Sequence, residues 1–210
     1  MISVQRFDSE QAWLDARVDT LGASEIPSLF NVGFSTREKL IAEKVSGIRR
    51  KPDRKQRMRF ALGKLLEPVI GTVWEMTEGR APIPCGYAIY RNPTFPWIHA
   101  TPDFWIIEGE ELLEAKSTGP DGLSKWGTWS GWQNRFVWNE EPPVDVVIQV
   151  QAQLAVTGAQ RGHIACLAGT EFHRWPVARD EELIAAIAEE AEAATREINE
   201  KREALKVVNG

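Results

Sequence analysis

The chain has 210 residues, 43% of them hydrophobic, and a formal net charge of −5. This length and composition predict a single domain with a substantial buried core, and no apolar stretch approaches a membrane span. The N-terminal segment 1–13 is charged early and lacks the apolar centre of a signal peptide, so we expect the protein to remain in the cytoplasm.

Three short helices are predicted near the N-terminus. Residues 8–16 form the first, and Ser24 stands at a plausible start of the second. The spacing of Ser35 and Glu38 matches a capping box, which opens a third helix that runs to about Ser46.

A long amphipathic helix is predicted over residues 56–78. Its apolar residues recur at spacings of three and four: Leu62, Leu65, Leu66, Val69, Ile70, Val73 and Trp74. Pro68 lies inside this pattern, and because proline removes a helical hydrogen bond we expect a break or bend near Glu67.

The chain is acidic overall, yet a strongly basic run precedes the long helix. Residues 49–59 contain Arg49, Arg50, Lys51, Arg54, Lys55, Arg57 and Arg59 against the single Asp53, and Lys64 follows. The C-terminal stretch is acidic instead. Such segregation indicates either a local surface that attracts phosphate or a solvated linker between helices.

The pattern changes to β-strands between residues 87 and 116, with one strand predicted over 97–107 and turns at Asn92-Pro93 and Gly109. A helix is predicted over 144–157, then strands within 163–169 and 171–177, then a final helix over 180–206. We therefore expect one α/β domain, 1–210. It has an N-terminal helical part (1–80), a sheet and helix that carry the site (85–178), and a C-terminal helix (180–206).

Asp103, Glu114 and Lys116 form the most informative cluster of charges. On a strand, Glu114 and Lys116 share one face while Ala115 points the other way. Asp103 comes from the preceding strand, and two converging carboxylates suit a hard divalent cation such as Mg²⁺. A salt-bridged surface hairpin is the alternative explanation of this short pattern.

Several familiar sites are excluded. The chain contains no GxGxxG, P-loop, HExxH or GxSxG motif. Its two cysteines, Cys85 and Cys166, cannot form an iron–sulfur cluster or a CxxC zinc site, and we expect buried free thiols.

Five blocks in order resemble the lambda-exonuclease and YqaJ-type phage recombination nucleases of the PD-(D/E)xK superfamily. The resemblance covers about residues 13–190 and implies a restriction-endonuclease-like core, a central mixed β-sheet flanked by helices. The blocks are WLDAR leading to GASE (13–25), GKLLEP (63–68), ATPD (100–103), LEAK (113–116) and QVQAQL (149–154).

The resemblance implies roles for the central charges. Asp103, Glu114 and the Ala115 backbone carbonyl are implied Mg²⁺ ligands, with Mn²⁺ as a substitute, and Lys116 is the implied partner of the attacking water. Glu67 lends a further carboxylate, either to a second ion or through metal-bound water.

The glutamine-rich segment carries a further implied site residue. The family motif favours Gln149 as the active-site glutamine, with Gln153 as its neighbour on the same helical face and Gln151 rotated away. Polar positions on a partly exposed helix are the alternative.

Further residues are implied to contact DNA. Arg17 and Ser24 match a pocket for a 5′-terminal phosphate, although Ser24 is equally explained as a plain helix cap. Arg57, Arg59 and Lys64 are further candidates for contacts with DNA. Met58 and Phe60 are candidates for an apolar wedge that opens the duplex end, with ordinary packing as their alternative.

The implied activity is that of a Mg²⁺-dependent 5′-to-3′ exonuclease on double-stranded DNA ends, which leaves 3′ single-stranded tails for recombination in a bacterial or phage-infected cytoplasm. A homotrimer and a single-strand annealing protein are the implied partners, and no membrane is involved. An endonuclease of the same superfamily and an inactive DNA-binding module are the alternatives.

One segment departs from the family pattern. Residues 125–138 contain Trp126, Trp129, Trp132 and Trp138 together with Arg135. These rings could stack on bases, or they could pack against another subunit or cap the core.

Overall fold

The computed structural model describes residues 1–48, 51–132 and 135–209. Arg49 and Arg50 of the basic run, and Gln133 and Asn134 of the tryptophan-rich segment, lie outside the described residues. The helices are α1 (Glu10–Asp15), α2 (Ile26–Leu29), α3 (Arg37–Ser46), α4 (Arg54–Glu78), α5 (Val144–Thr157) and α6 (Glu181–Asn209), with a 3₁₀ helix at Pro120–Lys125. The strands are β1 (Ser3–Arg6), β2 (Leu21–Gly22), β3 (Ile83–Pro84), β4 (Ala88–Arg91), β5 (Ile98–Ala100), β6 (Phe104–Ile107), β7 (Glu111–Thr118), β8 (Gly127–Ser130), β9 (Arg135–Trp138), β10 (Arg161–Ala168) and β11 (Glu171–Ala178).

A mixed five-stranded sheet forms the centre of the fold. Its strand order is β11-β10-β7-β6-β3, in which β7 and β10 run parallel and the other pairs run antiparallel. A second sheet has the order β1-β4-β5-β2, and β8 pairs with β9 in a separate hairpin. The predicted mixed sheet flanked by helices is confirmed.

Helices α4 and α5 cover opposite faces of β7. Leu113 and Ala115 pack in the cluster that contains Ile70 and Trp74 of α4. The alternate residue Leu112 lies in the larger core, which includes residues of α5. The period of two along the strand therefore sends Glu114 and Lys116 to the α5 side.

The predicted helix α5 has the bounds 144–157, and it ends at Gly158 in the left-handed conformation, φ 73°. Close packing holds it on the sheet: a Cβ atom at Gly162 of β10 would lie 2.4 Å from Val150 Cγ1. A side chain at residue 162 would therefore require Val150, on the helix that carries the glutamines, to shift away from β10.

Two helix starts differ from the predictions. Thr36 caps α3 by accepting a hydrogen bond from the Lys39 amide at 3.4 Å, so the predicted box at Ser35 is wrong by one residue. Helix α2 begins at Ile26 after Glu25, so Ser24 is not its cap.

We predicted a break or a bend near Glu67, and the break is wrong, because α4 continues without interruption through Pro68. It begins earlier than predicted, where Asp53 and Gln56 form a reciprocal capping box. Three of the seven residues of its predicted apolar stripe are exposed, Leu62, Leu65 and Val69, since only the side nearest Ile70 faces the sheet.

The predicted strand over 97–107 is two strands in different sheets, β5 and β6, joined by Thr101-Pro102-Asp103. Proline cannot donate to a strand ladder, which explains the interruption. Sequence patterns also missed the hairpin β8–β9, which contains most of the tryptophan-rich segment.

Both cysteines are free and buried, as predicted. Burial raises the pKa of each thiol to about 12. Among the described helices, none combines the length and the apolar character needed to cross a membrane.

Candidate active site

Glu114 and Lys116 lie side by side on β7 and meet Gln149 of α5. Lys116 Nζ donates to Glu114 Oε1 at 2.7 Å and to Gln149 Oε1 at 3.1 Å. Gln149 Nε2 donates to the same Glu114 oxygen at 2.5 Å. Three side chains from two elements thus form a closed ring of hydrogen bonds around a carboxylate that is only 3% exposed.

Gln153, one turn after Gln149, binds the other oxygen of the same carboxylate. Its Nε2 atom donates to Glu114 Oε2 at 2.7 Å. Gln151 points elsewhere, donating to the Ala178 carbonyl at 2.7 Å and accepting from the Asp180 amide at 3.1 Å. The helical spacing predicted this division, although it did not predict that both glutamines contact Glu114.

Asp103 follows the link between the two sheets and points back to β7. Its Oδ2 atom accepts a hydrogen bond from the Ala115 amide at 2.8 Å. Burial, followed by the charges of Glu114 and Glu67, raises the pKa of the Asp103 carboxyl well above its usual value.

Glu67 is half-buried on α4, and its charge acts on the same group of residues. Burial and then the Glu114 charge raise the pKa of its carboxyl. Burial alone disfavours the charged form of Lys116, but Glu114 and Asp103 outweigh that effect and raise the pKa of the Lys116 ammonium. One partly buried ammonium therefore interacts with three mutually repelling carboxylates.

This donor set suits a hard cation, but its carboxylates are not already arranged around one. Within 1–48, 51–132 and 135–209, no group of three His, Cys, Asp or Glu side chains is positioned to hold a metal ion. Glu114 is turned toward amide and ammonium donors, and one Asp103 oxygen binds the Ala115 amide. The set fits by its chemistry, because burial and neighbouring carboxylates raise the pKa values of Asp103 and Glu67, and a divalent charge would relieve that repulsion.

Arg17 lies beside a second group of polar residues. Its guanidinium stacks 4.3 Å from the Trp13 ring, and its Nε atom donates to His99 Nε2 at 3.4 Å. Burial and the nearby cations lower the pKa of His99 to about 2, so the ring is neutral. Since Nε2 accepts from Arg17, Nδ1 carries the proton and donates to Thr20 Oγ1 at 2.8 Å.

A small cavity of about 60 Å³ adjoins Arg17. Lys44 and Glu25 also line it, joined by an ion pair of 2.8 Å, whereas Ser24 is not among its lining residues. The structure thus brings Arg17 together with Lys44 rather than with the predicted Ser24.

The cations predicted to contact DNA all have contacts within the chain. Arg57 donates to the Pro52 carbonyl at 2.7 Å, and Lys64 donates to Glu10 at 2.8 Å and to the Tyr87 hydroxyl at 2.9 Å. Arg59 shares Asp121 with Lys55. The wedge candidates Met58 and Phe60 are 57% and 66% exposed, so packing within this chain does not explain them.

The tryptophan-rich segment is divided between core and surface. Trp126 and Trp138 each pack within 5.6 Å of the Trp175 ring, which closes the end of the core. Trp129 and Trp132 are 62% and 97% exposed on the hairpin.

Sequence reasoning missed His99, Lys44 and the pair Lys125–Asp145. His99 stands directly before the ATPD block (100–103), so its position beside that block was a usable signal. Asp145 lies one turn before Gln149, is buried, and binds Lys125. No sequence pattern links Lys125 to Asp145, because their contact depends on how the 3₁₀ helix folds back to α5.

Comparison with known proteins gives consistent matches. The family described as the YqaJ-like viral recombinase domain matches residues 12–160. The uncharacterized protein YqaJ of Bacillus subtilis strain 168 is 27% identical over 180 residues, which is 84% of this chain and 52% of that protein. The chain therefore spans about half the length of this curated relative.

Solved structures share the fold. An alkaline exonuclease, LHK-Exo, from Laribacter hongkongensis superposes with a TM-score of 0.71 at 21% identity, covering 95% of this chain and 97% of that one. A phage-related exonuclease from Haemophilus somnus 129PT gives 0.66 at 13% identity, covering 89% and 96%. These likenesses place the α/β core in the PD-(D/E)xK fold class.

Proposed function

The chain belongs to the family of YqaJ-like viral recombinase domains, and from this premise we propose that it is a Mg²⁺-dependent exonuclease. It degrades linear double-stranded DNA from 5′ ends and leaves 3′ single-stranded tails for phage-type homologous recombination. The observation that carries the proposal is the convergence of Asp103, Glu67 and Glu114 on one partly buried lysine, Lys116.

Asp103, Glu114 and the Ala115 carbonyl would hold the cation, with Glu67 contributing directly or through water, and Mn²⁺ could replace Mg²⁺. When bound, the cation polarises the phosphodiester and makes a water molecule more acidic. Lys116 holds its proton at neutral pH and can orient the attacking water through hydrogen bonds.

The amides of the glutamines would keep Glu114 in place. Gln149 joins the carboxylate to Lys116, and Gln153 binds its second oxygen. Such contacts limit rotation of the Glu114 carboxylate before the carboxylates of the site gather around an ion.

The 5′ end of the DNA would meet Arg17. The neutral His99 ring orients the guanidinium, and Lys44 adds a second cation at the adjoining cavity. Ser24 precedes α2 and remains a candidate hydroxyl contact. Among the solved relatives, LHK-Exo has also been crystallised in complex with dAMP, with a TM-score of 0.72 at 20% identity, which supports a nucleotide ligand for this fold.

A homotrimer is proposed as the working assembly. The exposed apolar side chains Met58, Leu62, Leu65 and Val69 recur along α4 at helical spacing and need a cover. The exposed Trp129 and Trp132 offer a different apolar surface, so a head-to-tail contact could close a ring. We place the enzyme, acting as one nuclease domain, in the bacterial or phage-infected cytoplasm beside a single-strand annealing protein.

Digestion of matched circular and linear duplexes tests the activity. An exonuclease releases nucleotides from the linear form only, and only with a divalent cation. Cleavage of the closed circle would favour the endonuclease alternative, and binding without cleavage would favour an inactive module. Asp103→Ala and Lys116→Ala should each abolish release, and wild-type rates in either variant would contradict the proposal.

Polarity needs a second experiment with linear duplexes that carry a 5′-phosphate or a 5′-hydroxyl and a label at one end. We expect faster degradation from the phosphorylated end, and Arg17→Gln should remove this preference. Release that starts from 3′ ends would overturn the proposed direction.

A further inference from the structure

We propose that Lys55 and Arg59 form a binding site for an internal phosphodiester of the DNA strand, and that Asp121 occupies this site when DNA is absent. The inference rests on the proposed function, because it assumes that nucleic acid passes this surface. The inference adds a phosphate-binding site outside the catalytic centre, and it identifies Asp121 as a group of the same chain that competes with phosphate for that site.

Two cations converge on a single oxygen atom. Lys55 Nζ and Arg59 Nη2 each lie 3.0 Å from Asp121 Oδ2. The two residues are four apart on α4, so their side chains project from the same side of the helix. An ammonium and a guanidinium that share one anionic oxygen form a geometry that a phosphate oxygen can also occupy.

Water reaches all three members of this cluster. The side chains of Lys55, Arg59 and Asp121 are 71%, 59% and 67% exposed. Exposed ion pairs contribute little to folding and exchange partners readily. The Lys55 hydrogen bond and both positive charges lower the pKa of Asp121, so its carboxylate competes with phosphate throughout the neutral range.

The cluster is connected to the catalytic centre through two segments of the chain, α4 and the residues that follow β7. Arg59 lies eight residues before Glu67 on α4, which corresponds to about 12 Å along the helix axis. Asp121 lies five residues after Lys116, on the 3₁₀ helix that follows β7. A phosphate bound here would therefore lie beside the helix that carries Glu67 and beside the segment that follows Glu114 and Lys116 on β7.

Two neighbouring cations are held differently. Arg57 donates to the Pro52 carbonyl, which is a neutral group of the backbone. Lys64 contacts the Glu10 carboxylate and both the hydroxyl and the ring of Tyr87, so it has three partners rather than one. The Lys55–Arg59 pair differs because its partner is one exposed carboxylate, which a single anion can replace.

Equilibrium binding of a fluorescent oligonucleotide in EDTA tests the site without cleavage. Asp121→Asn should tighten binding about threefold, as expected when an exposed competing ion pair is removed. Glu189→Gln, an exposed carboxylate on α6, gives the same change in net charge and should leave affinity unchanged. Equal affinities of the two variants would overturn the proposal.

A double-mutant cycle shows whether the gain acts through the two cations. Lys55→Gln with Arg59→Gln should weaken binding and lower the slope of log K against log salt by about 1 to 2. In that background Asp121→Asn should give no gain. A gain that persists would show that Asp121 acts elsewhere, and it would overturn the site.

Oligonucleotides with a 5′-phosphate or a 5′-hydroxyl distinguish an internal phosphodiester from a terminal phosphate. The Asp121→Asn gain should be equal for both, and a gain confined to the phosphorylated strand would contradict the assignment. The test of nuclease activity is independent of this binding test. A chain that binds as described but never cleaves would disprove the proposed function alone, and a chain that cleaves while Asp121→Asn binds like wild type would disprove this inference alone.

Discussion

The centre around Glu114 and the basic start of α4 hold their charges in opposite ways. Glu114 is 3% exposed and accepts hydrogen bonds from three side chains, whereas the Lys55 side chain is 71% exposed and shares one carboxylate. The first arrangement is set by the packing of α5 on the sheet, and the second by contacts that water can replace. A buried, hydrogen-bonded carboxylate and an exposed ion pair, which we propose to exchange with DNA, are therefore separated within one chain.

The largest expected effect is loss of catalysis when the buried carboxylate is neutralised. Glu114→Gln keeps the shape of the side chain but removes the carboxylate that we propose binds the cation, and its new amide group faces the donors of Gln149, Gln153 and Lys116. We expect nuclease turnover to fall about 10³-fold or more. Single-turnover release at saturating enzyme measures this change, and a loss below tenfold would show that Glu114 is not a cation ligand.

The next largest effect is expected at two glutamines on α5, which provide a matched comparison. Gln153 binds Glu114, and Gln151 binds backbone groups at Ala178 and Asp180. Both are buried, so each change to alanine should cost about 1–3 kcal/mol of stability through unsatisfied polar groups. Gln153→Ala should also lower turnover by about 10- to 100-fold and weaken cation affinity.

Gln151→Ala should leave turnover per folded enzyme near wild type. Thermal unfolding and cation titration of both variants separate stability from chemistry. Equal losses of turnover would mean that Gln153 acts through folding alone.

Asp103 should make the cation-free centre less stable at neutral pH. Its pKa is raised in the folded chain, so folding favours the protonated carboxyl. Stability is therefore lost as pH rises from the ordinary carboxyl pKa of about 4 through the raised value. Asp103→Asn cannot ionise and should be more stable in EDTA at pH 7, by on the order of 1 kcal/mol.

The stability difference at Asp103 should disappear below about pH 4, where the wild-type carboxyl is protonated in both states. Added Mg²⁺ should stabilise wild type more than Asp103→Asn, because the ion relieves the repulsion. Asp19→Asn, at an exposed carboxylate, serves as the control. Thermal melts across pH measure each effect, and a less stable Asp103→Asn protein in EDTA at pH 7 would contradict this account.

Local patterns were sufficient for much of the fold and for the grouping of the central charges. Period-two alternation places Glu114 and Lys116 on one face, and helical spacing separates Gln151 from Gln149. The same rules predicted an apolar stripe on α4 that is partly exposed in the structure, since helical periodicity does not reveal which side of a helix meets the sheet.

Long-range pairing explains the contacts that local patterns could not predict. Asp121 lies 66 positions from Lys55, and Lys125 lies 20 from Asp145. Short strands were missed for a similar reason: two-residue pairings such as β2 with β5 depend on a distant partner rather than on local composition.

The smallest expected effect lies at the start of α4. Arg59→Gln removes an exposed ion pair, so the free energy of unfolding should change by less than about 0.5 kcal/mol. The DNA concentration needed for half-maximal rate should rise, and the increase should be larger at low salt because exposed charges are screened at high salt. Chemical unfolding and nuclease assays at two salt concentrations measure these effects. A large loss of stability in Arg59→Gln would contradict the division between a packed catalytic centre and an exchangeable DNA surface, because it would make the basic start of α4 part of the folded core.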